Sequence, residues 1–484
     1  MRPNRRVISA LATVVLVAPL TVAGSREALA QSPPEAKDTI AVGDFQLRPT
    51  FEVRTRAEYR HAPQDLGGVS ATGSSVVVDD AWAVQERARL GLGVERGALR
   101  GQITLQDARV WGATPPTGVT TSPSGFGSTG AYETFIEMHT TTATPSYLRL
   151  GRQAIDWDGG RLLSNADASP TGRVFDAVRG HAVYKSLDVE AFAAFVDQAR
   201  PIGVGFGDVS GPYRGGAQVF GAMVKVTPDP LFSLALEGFA RPAMGLSTNT
   251  GASSFALSRA YGDLYVAALR VAGDGKGWHY ELMGVLELGT IDFAPTKTKD
   301  RFAYAVAGDV SRTFDGIVGS PTLRLGGAYA SGGENETTYS QFDPLYPNVH
   351  AAQGLMNAFA WSNIIDAHAA LSVVPAADVR LGVEYHYVRL ADVTGDWLNG
   401  YLSSVGRLPT ASDAELGHEI DASLAWRPWP ALELAAGYSI LVLSQGAKEI
   451  QLSQGRVTHE ADGSVTISPL SHFAYAQATL RLPQ

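Results

Sequence analysis

Residues 45–61 read FQLRPTFEVRTRAEYRH, and the alternation of side chains in this stretch decides the fold class. Every second position belongs to an apolar row: Phe45, Leu47, Pro49, Phe51, Val53, Thr55, Ala57 and Tyr59. The intervening positions form a polar row with four arginines and two glutamates: Gln46, Arg48, Thr50, Glu52, Arg54, Arg56, Glu58 and Arg60. A period of two predicts a long strand with one apolar face and one wet face.

The composition of the whole chain narrows the class of protein. The chain has 484 residues, no cysteine, 18% charged residues and a formal net charge of −9. Without cysteine, an exported protein has neither a disulfide framework nor thiolate chemistry. An acidic chain is also a poor candidate for nucleic-acid binding.

The N-terminal thirty residues have the three parts of an export signal. They begin with the basic stretch MRPNRR, continue through an apolar run and end on Ala28-Leu29-Ala30, an A-x-A cleavage site. We therefore predict a signal peptide over 1–30, a periplasmic lead segment over 31–43 and one β-barrel domain over 44–484. No apolar run of 18 or more residues follows, so the sequence predicts no transmembrane helix.

Connections of two lengths alternate between the strand-like runs. Short turns are expected at 96–98, 144–146, 186–188, 227–230, 273–277, 314–320, 375–377 and 427–430. Long loops rich in Gly, Ser, Pro and Asp are expected near 61–81, 111–130, 155–173, 198–216, 241–260, 289–300, 331–354, 391–416 and 444–468. Outer-membrane barrels have an even number of strands, short periplasmic turns and long extracellular loops. The sequence therefore predicts an all-β fold, an 18-stranded antiparallel transmembrane β-barrel in the bacterial outer membrane.

The charges of the opening stretch fix which row faces the lumen. An arginine facing lipid costs roughly 2–4 kcal/mol at the midplane of the bilayer, so the polar row must face the interior. Barrels of about 16–18 strands enclose an aqueous channel. Arginines of three consecutive strands should then form one anion-attracting wall, although nearby glutamates could neutralise them: Arg48, Arg54, Arg56, Arg60, Arg87, Arg89 and Arg100. The excess acid of the chain is expected largely in the loops, at Asp79, Asp80, Glu334, Glu336, Asp413 and Glu415.

Two stretches resemble the alginate export family of bacterial outer-membrane proteins. Residues 147–184 read YLRLGRQAIDWDGGRLLSNADASPTGRVFDAVRGHAVY, and residues 342–354 read FDPLYPNVHAAQG. Both are similar to elements of that family: a GRQ strand end, a loop with R-L, an R-x-F-D-x-V-R strand start and a D-P-L-Y-P loop. The matching motif residues are Gly151, Gln153, Asp158, Phe175, Asp176, Pro344, Pro347 and His350. The resemblance implies an 18-stranded barrel with an arginine-rich lumen that passes an anionic polysaccharide.

Four more arginines surround the first of these motifs, and two interpretations of them stay open. They are Arg152, Arg161, Arg173 and Arg179. They could be an ion-pair latch that fixes a long loop inside the barrel, with Asp158 and Asp176 as partners. They could also form a constriction in which guanidinium groups meet passing carboxylates, because arginine carries a permanent charge and pairs with carboxylates at two points.

Catalytic chemistry has little support in the sequence. No H-x-x-x-H pair, G-x-S-x-G element or phosphate-binding loop occurs, and the only adjacent serine and histidine are Ser471 and His472. We therefore predict no catalytic residues, no metal site and no cofactor. The predicted function is a monomeric outer-membrane channel that exports alginate or a similar polyuronate, with outer-membrane lipid around it and a periplasmic secretion complex as a possible partner. The alternatives are a general or nutrient-uptake porin for small anions and a barrel-embedded hydrolase.

Overall fold

The computed structural model describes thirteen stretches of the chain. They are residues 39–61, 80–112, 128–141, 146–157, 159–197, 217–242, 262–294, 297–348, 353–400, 402, 404–454, 458–459 and 465–482. The predicted signal peptide lies outside these residues.

Eighteen long strands make up one closed sheet. In chain order they are β1 (Phe45–His61), β2 (Asp80–Arg96), β3 (Leu99–Trp111), β4 (Ser128–His139), β5 (Tyr147–Gln153), β6 (Val174–Tyr184), β7 (Leu187–Asp197), β8 (Ala217–Asp229), β9 (Phe232–Arg241), β10 (Leu264–Gly275), β11 (Trp278–Ala294), β12 (Lys297–Thr313), β13 (Thr322–Ala330), β14 (Ile364–Ala376), β15 (Val379–Leu390), β16 (Glu415–Trp429), β17 (Leu432–Leu443) and β18 (Leu470–Leu482). Each strand is antiparallel to the next, and β1 pairs with β18 from Phe51↔Leu482 to His61↔His472. This last pairing closes the barrel, so the predicted 18-stranded fold is confirmed.

Only short elements lie outside the barrel wall in the described residues. The helix α1 spans Gln445–Ser453. Six short strands are Ile40–Val42, Thr338–Tyr339, Trp397–Leu398, Ser404–Gly406, Thr458–His459 and Val465–Thr466. Across the described stretches, no helix is both long enough and apolar enough to cross a membrane.

The two rows of β1 face opposite sides of the wall, as the alternation predicted. Arg54, Arg56 and Arg60 are buried in the interior, whereas Phe51 and Tyr59 are exposed on the outer surface. The outer surface of the neighbouring strands is also apolar, at Leu90, Leu92, Ile103, Leu105, Ile136 and Met138. Apolar side chains toward lipid and polar ones toward the lumen are the arrangement that a membrane barrel requires.

The connections follow the predicted pattern with one exception. The predicted long loop near 289–300 is wrong, because β11 continues to Ala294 and β12 begins at Lys297. Only residues 295 and 296 join these two strands. The polar residues of this stretch continue the ladder, with Thr290 opposite Asp300 and Ile291 opposite Lys299.

Two long loops turn inward and fill part of the interior. We call residues 154–173 loop A and residues 331–363 loop B. Trp157 of loop A packs against Phe192 and Phe239 of the wall, with ring centroids 5.2 Å apart in both pairs. Phe342 and Phe359 of loop B are buried in the same apolar cluster. The core of the molecule is therefore made by these loops and inward-facing strand residues, together with Trp397 and Val405 and with Ala447 and Ile450 of α1.

Candidate functional site

The arginine wall consists of the inward-facing arginines of β1, β2 and β3. The structure places all seven predicted members on the inner side: Arg48, Arg54, Arg56, Arg60, Arg87, Arg89 and Arg100. They divide into three groups according to what their guanidinium groups contact.

The first group binds the turn of loop A that carries Asp167. Arg54 donates from Nη1 to the Asp167 carbonyl oxygen and from Nη2 to the Ser169 carbonyl oxygen, both at 2.6 Å. Arg87 and Arg89 each place a guanidinium nitrogen near Asp167 Oδ1, at 3.0 and 2.7 Å. Arg87 is also paired with Glu52 at 2.5 Å. For these three arginines the geometry is that of a latch.

The electrostatics of Asp167 agree with this role. Burial alone would raise the pKa of its carboxyl group, because burial disfavours the charged form. The nearby charges of Arg87, Arg89 and Arg54 outweigh that effect and hold the pKa of Asp167 well below its usual range. The carboxylate therefore stays ionised, and its ion pairs with Arg87 and Arg89 are kept.

The second group stacks on aromatic rings of the adjacent strand β18. The Arg56 guanidinium lies 4.0 Å from the ring centre of Tyr475, and Arg60 lies 4.6 Å from that of Phe473. Glu58 lies between the two arginines, 2.6 Å from Arg56 and 3.8 Å from Arg60. Arg60 also donates from Nη1 to the Met356 carbonyl oxygen of loop B at 3.2 Å, so this group contacts an inward loop as well as Glu58.

The third group lies near the short-turn side of the barrel, and within the described residues it contacts neither inward loop. Arg48 forms an ion pair with Glu95 at 3.1 Å. Arg100 lies opposite Glu95 and Glu137 in the strand register, and its Nε makes no hydrogen bond within the described structure.

Loops A and B, which carry the two family-like motifs, are hydrogen-bonded to each other. The backbone amide of Tyr346 donates to Leu162 O at 2.9 Å, and that of Ser164 donates to Tyr346 O at 2.8 Å. Arg173 Nη1 donates to the carbonyl oxygens of Tyr346 at 2.7 Å and Pro347 at 3.2 Å. The motifs are far apart in sequence, but they form one unit inside the barrel.

Loop B is anchored to the wall through Asp343, whose side chain is fully buried. Arg241 of β9 donates to Asp343 Oδ2 at 2.7 Å, and Arg301 of β12 lies 3.9 Å from the same oxygen. Glu287 of β11 accepts a hydrogen bond from the backbone amide of Asp343 at 3.1 Å. The preceding Phe342 and following Pro344 are therefore fixed close to the β9–β12 part of the wall.

The other predicted arginines have different positions. Arg161 of loop A pairs with Asp309 at 3.0 Å, and Arg179 pairs with Glu190 at 2.7 Å. Both are inside the barrel. Arg152 lies in the row of Leu148 and Leu150, which are exposed on the outer surface. It pairs there with Asp176 at 2.8 Å, so Arg152 is not part of the channel, contrary to the prediction.

Sequence reasoning missed a neighbouring inward arginine. Arg149 alternates with Leu148 and Leu150, and it pairs with Glu137 Oε2 through Nε at 2.7 Å. The period-two pattern of LRLGRQ contains this information, because it assigns Arg149 to the inner row and Arg152 to the outer row.

The remaining motif residues have packing roles. Gly151 has a φ of 127°, and a Cβ atom there would collide with the backbone of Thr134. Gln153 is buried and donates to the carbonyl oxygens of Gly151 and Ala177. Phe175 packs edge-on against Tyr346, with ring centroids 6.1 Å apart. The predicted motif residues Asp158 and His350 lie outside the described residues.

An acidic arc occupies the inner side of strands β11 to β16. Its members are Glu281, Asp309, Asp366, Glu384, Glu419 and Asp421. In a closed barrel of eighteen strands, β11 lies nine strands from β2 and therefore opposite it. The excess acid is therefore not confined to the loops, where the sequence analysis expected most of it. Glu281 of β11 and Asp309 of β12 lie opposite the arginine wall, whereas Glu419 and Asp421 of β16 lie only three strands from β1.

One predicted loop acid has a defined environment. Glu334 of loop B pairs with Lys299 at 2.6 Å and with Arg407 at 2.9 Å. Burial would raise the pKa of Glu334, but the hydrogen bonds from these two cations lower it below its usual range. The carboxylate is thus a further ionised anchor of loop B.

Ser471 and His472 cannot act as a catalytic pair. Ser471 is buried on the inner side of β18. His472 lies on the outer side, where its Nδ1 is hydrogen-bonded to the Tyr438 hydroxyl at 2.9 Å. Adjacent strand residues point to opposite faces, which separates the two groups.

Comparison with known proteins identifies relatives at the level of family and fold. A model of the alginate export family matches residues 45–447. OprD of Pseudomonas aeruginosa has a TM-score of 0.53 at 10% identity, covering 93% of this chain and 98% of that one. A BenF-like porin from Pseudomonas fluorescens Pf-5 has a TM-score of 0.55 at 10% identity, covering 90% and 99%. OccK2 (OpdF) of Pseudomonas aeruginosa, solved in complex with glucuronate, has a TM-score of 0.53 at 11% identity, covering 90% and 97%. No curated protein matches the chain significantly.

Proposed function

The chain belongs to the alginate export family, and we propose that this outer-membrane channel uses its arginine wall to attract an anionic polysaccharide, alginate or a similar polyuronate, and pass it outward. The proposal goes beyond family and fold in two respects, the solute and the direction of transport.

The charge balance of the arginine wall carries the proposal. Seven arginines face three inward glutamates of the same strands, Glu52, Glu58 and Glu95, and one loop carboxylate, Asp167. The difference is 7 − 4 = 3 positive charges on one side of the interior. Low-dielectric walls focus such a charge and raise the local concentration of an oppositely charged solute.

Arg56 and Arg60 are suited to a sugar acid in particular. Their guanidinium groups lie over the rings of Tyr475 and Phe473, and the planar guanidinium fork can pair with a carboxylate at two points. A uronate has one carboxylate on each sugar, so successive residues of a polyuronate could pair with successive arginines.

One observation favours the alternative of an uptake porin for small anions. Loops A and B are bound to each other and to opposite parts of the wall, so they narrow the interior. A narrow passage suits a monomeric anion better than a polymer, unless the loops move. We therefore keep this as the second candidate function.

A recording of ion selectivity tests the role of the arginine wall. The parent channel, reconstituted in a planar bilayer under a salt gradient, should show a reversal potential of an anion-selective pore. The double substitution Arg48→Gln/Arg100→Gln removes two cations that do not contact the described parts of the inward loops, and it should shift the reversal potential toward zero. The control is Arg109→Gln. Arg109 lies on the same strand as Arg100, β3, but on its outer face. A cation-selective parent would contradict the proposal.

Block of the ion current separates the two candidate functions. A polyuronate oligomer added on the periplasmic side should block the parent at lower concentration than glucuronate does, and the block should weaken as salt rises. Equal block by monomer and oligomer would instead support the small-anion porin.

A further inference from the structure

A cluster of two histidines and one aspartate lies on the inner side of β14 and β15. His368 Nδ1 is 2.9 Å from Asp366 Oδ2, and His386 Nδ1 is 2.9 Å from Asp366 Oδ1. The two imidazole rings lie 5.1 Å apart. All three side chains are almost completely buried. Two imidazole nitrogens thus converge on a single carboxylate.

Each imidazole has a second carboxylate at its other nitrogen. His368 Nε2 is 2.8 Å from Asp309 Oδ1, and His386 Nε2 is 3.2 Å from Glu384 Oε1. Histidines that bind metals commonly donate their remaining N–H to a carboxylate, which fixes the tautomer and orients the ring. His368 has this arrangement through its hydrogen bond to Asp309, whereas His386 Nε2 lies near Glu384 without forming a hydrogen bond in the described structure.

The surrounding strands support this arrangement. Arg324 of β13 hydrogen-bonds to Glu384 and lies 3.9 Å from Asp309, so it holds both outer carboxylates. Gly326 lies opposite His368 in the register, and a side chain there would collide with the imidazole and with Asp309. Absence of a side chain at this position leaves room for the ring.

We propose that Asp366, His368 and His386 bind a divalent transition-metal ion of the zinc type. Imidazole and carboxylate together suit Zn²⁺ and its neighbours, which bind nitrogen and oxygen ligands at about 2.0–2.2 Å. Each Nδ1 lies 2.9 Å from a different oxygen of Asp366, and one ligand atom from each of the three residues lies within 4.8 Å of the others. The ion takes the place of the protons that the imidazoles share with Asp366. Three protein ligands leave one coordination position for water.

The sequence hides this site because its ligands are not close together in the chain. His368 and His386 are 18 residues apart, and the antiparallel register makes them direct partners on neighbouring strands. Asp366 lies two residues before His368, on the same face of β14.

Metal binding to the untagged, metal-stripped protein in detergent tests the proposal. Calorimetric titration with Zn²⁺ should give one equivalent of binding, and Co²⁺ should give the visible absorption bands of a site with nitrogen ligands. His368→Asn and His386→Asn should each weaken binding about 100-fold or more, because each removes a ligand. Asp309→Asn should weaken it about 10–100-fold, as the loss of an outer-shell carboxylate does.

The matched control is His418→Asn, since His418 lies on the outer face of β16 against Tyr385. This variant should bind Zn²⁺ as the parent does. Heat-modifiability on gels identifies variants that fail to fold, and the Co²⁺ spectrum of the parent decides the question if the ligand variants fail. A folded parent that binds no metal, or ligand variants that bind as well as His418→Asn, would show that the cluster is only a hydrogen-bonded network.

Discussion

Arg87 and Asp167 form a two-point ion pair across 80 residues of sequence, with Nη1 3.0 Å from Oδ1 and Nη2 3.1 Å from Oδ2. The pair joins a strand of the wall to the tip of an inward loop. Arg54, Arg87 and Arg89, which the sequence analysis assigned to an anion-attracting wall, therefore hold a loop in place.

Asp167→Asn should loosen the tip of loop A without disrupting the barrel, since the backbone contacts of Arg54 remain. Arg89 loses its carboxylate, while Arg87 keeps Glu52. The cost should be about 2 kcal/mol, less than the ~3–5 kcal/mol for breaking a fully buried pair, because the Asp167 side chain is 38% exposed. Single-channel recordings should show a larger conductance and more frequent transitions between levels. Asp107→Asn, on the outer face of β3, should leave the recordings unchanged.

The latch should resist mild acid. A carboxylate with a depressed pKa in the folded state stabilises that state above its unfolded pKa, near 4, and loses the contribution as the pH falls through the depressed value. Since the pKa of Asp167 is well below the usual range, conductance should stay constant from pH 7 to about pH 5. A rise should appear only well below pH 4. A change in the parent near pH 6 that is absent in Asp167→Asn would contradict this assignment.

The orientation of β1 can be tested by assembly. Val53→Arg places a cation on the outer row, at roughly 2–4 kcal/mol near the bilayer midplane. Arg54→Gln changes the inner row and keeps hydrogen-bond donors toward Asp167 and Ser169. The folded fraction, measured as heat-modifiable protein after refolding into lipid, should fall much more for Val53→Arg. Equal folded fractions would mean that the row assignment is wrong.

Loop B should depend on Asp343. Asp343→Asn leaves Arg241 without its close carboxylate in a fully buried environment, which costs about 3–5 kcal/mol. The barrel should still fold, since the strand ladder is untouched, but loop B should become sensitive to proteolysis. Glu336→Gln in the exposed part of the same loop is the control, and its cleavage pattern should match that of the parent. Protection of loop B in both variants would show that Asp343 is not the anchor.

The barrel could be predicted from the sequence because lipid imposes a strict rule on side chains. Every strand has one face in lipid, so apolar residues alternate with polar ones, as in β1. The prediction failed at 289–300. Thr290 and Asp300 are register partners there, but the residues around them do not show the apolar alternation of a lipid-facing strand. A ladder that continues beyond the membrane needs no apolar row, so its residues look like a loop.

The interior was harder to predict because it depends on contacts between distant segments. Nothing in the sequence around Asp167 indicates that Arg54, Arg87 and Arg89 converge on it. The same holds for His368 and His386, whose proximity follows only from the exact register of β14 and β15. Strand alternation gives the face on which a side chain lies, but not the loop or strand that it meets there.

The pairing of β1 with β18 has a consequence for how the protein is made. Phe51 and Leu482 are register partners separated by 482 − 51 = 431 positions. Contacts of such long range form slowly, because the intervening chain must be ordered before the two strands can meet. One edge of the first strand must therefore stay without a hydrogen-bonding partner until all the other strands have formed. Exposed edges of this kind can pair with strands of other chains and cause aggregation. Pairing of the last strand with the first removes this edge and with it this route to aggregation.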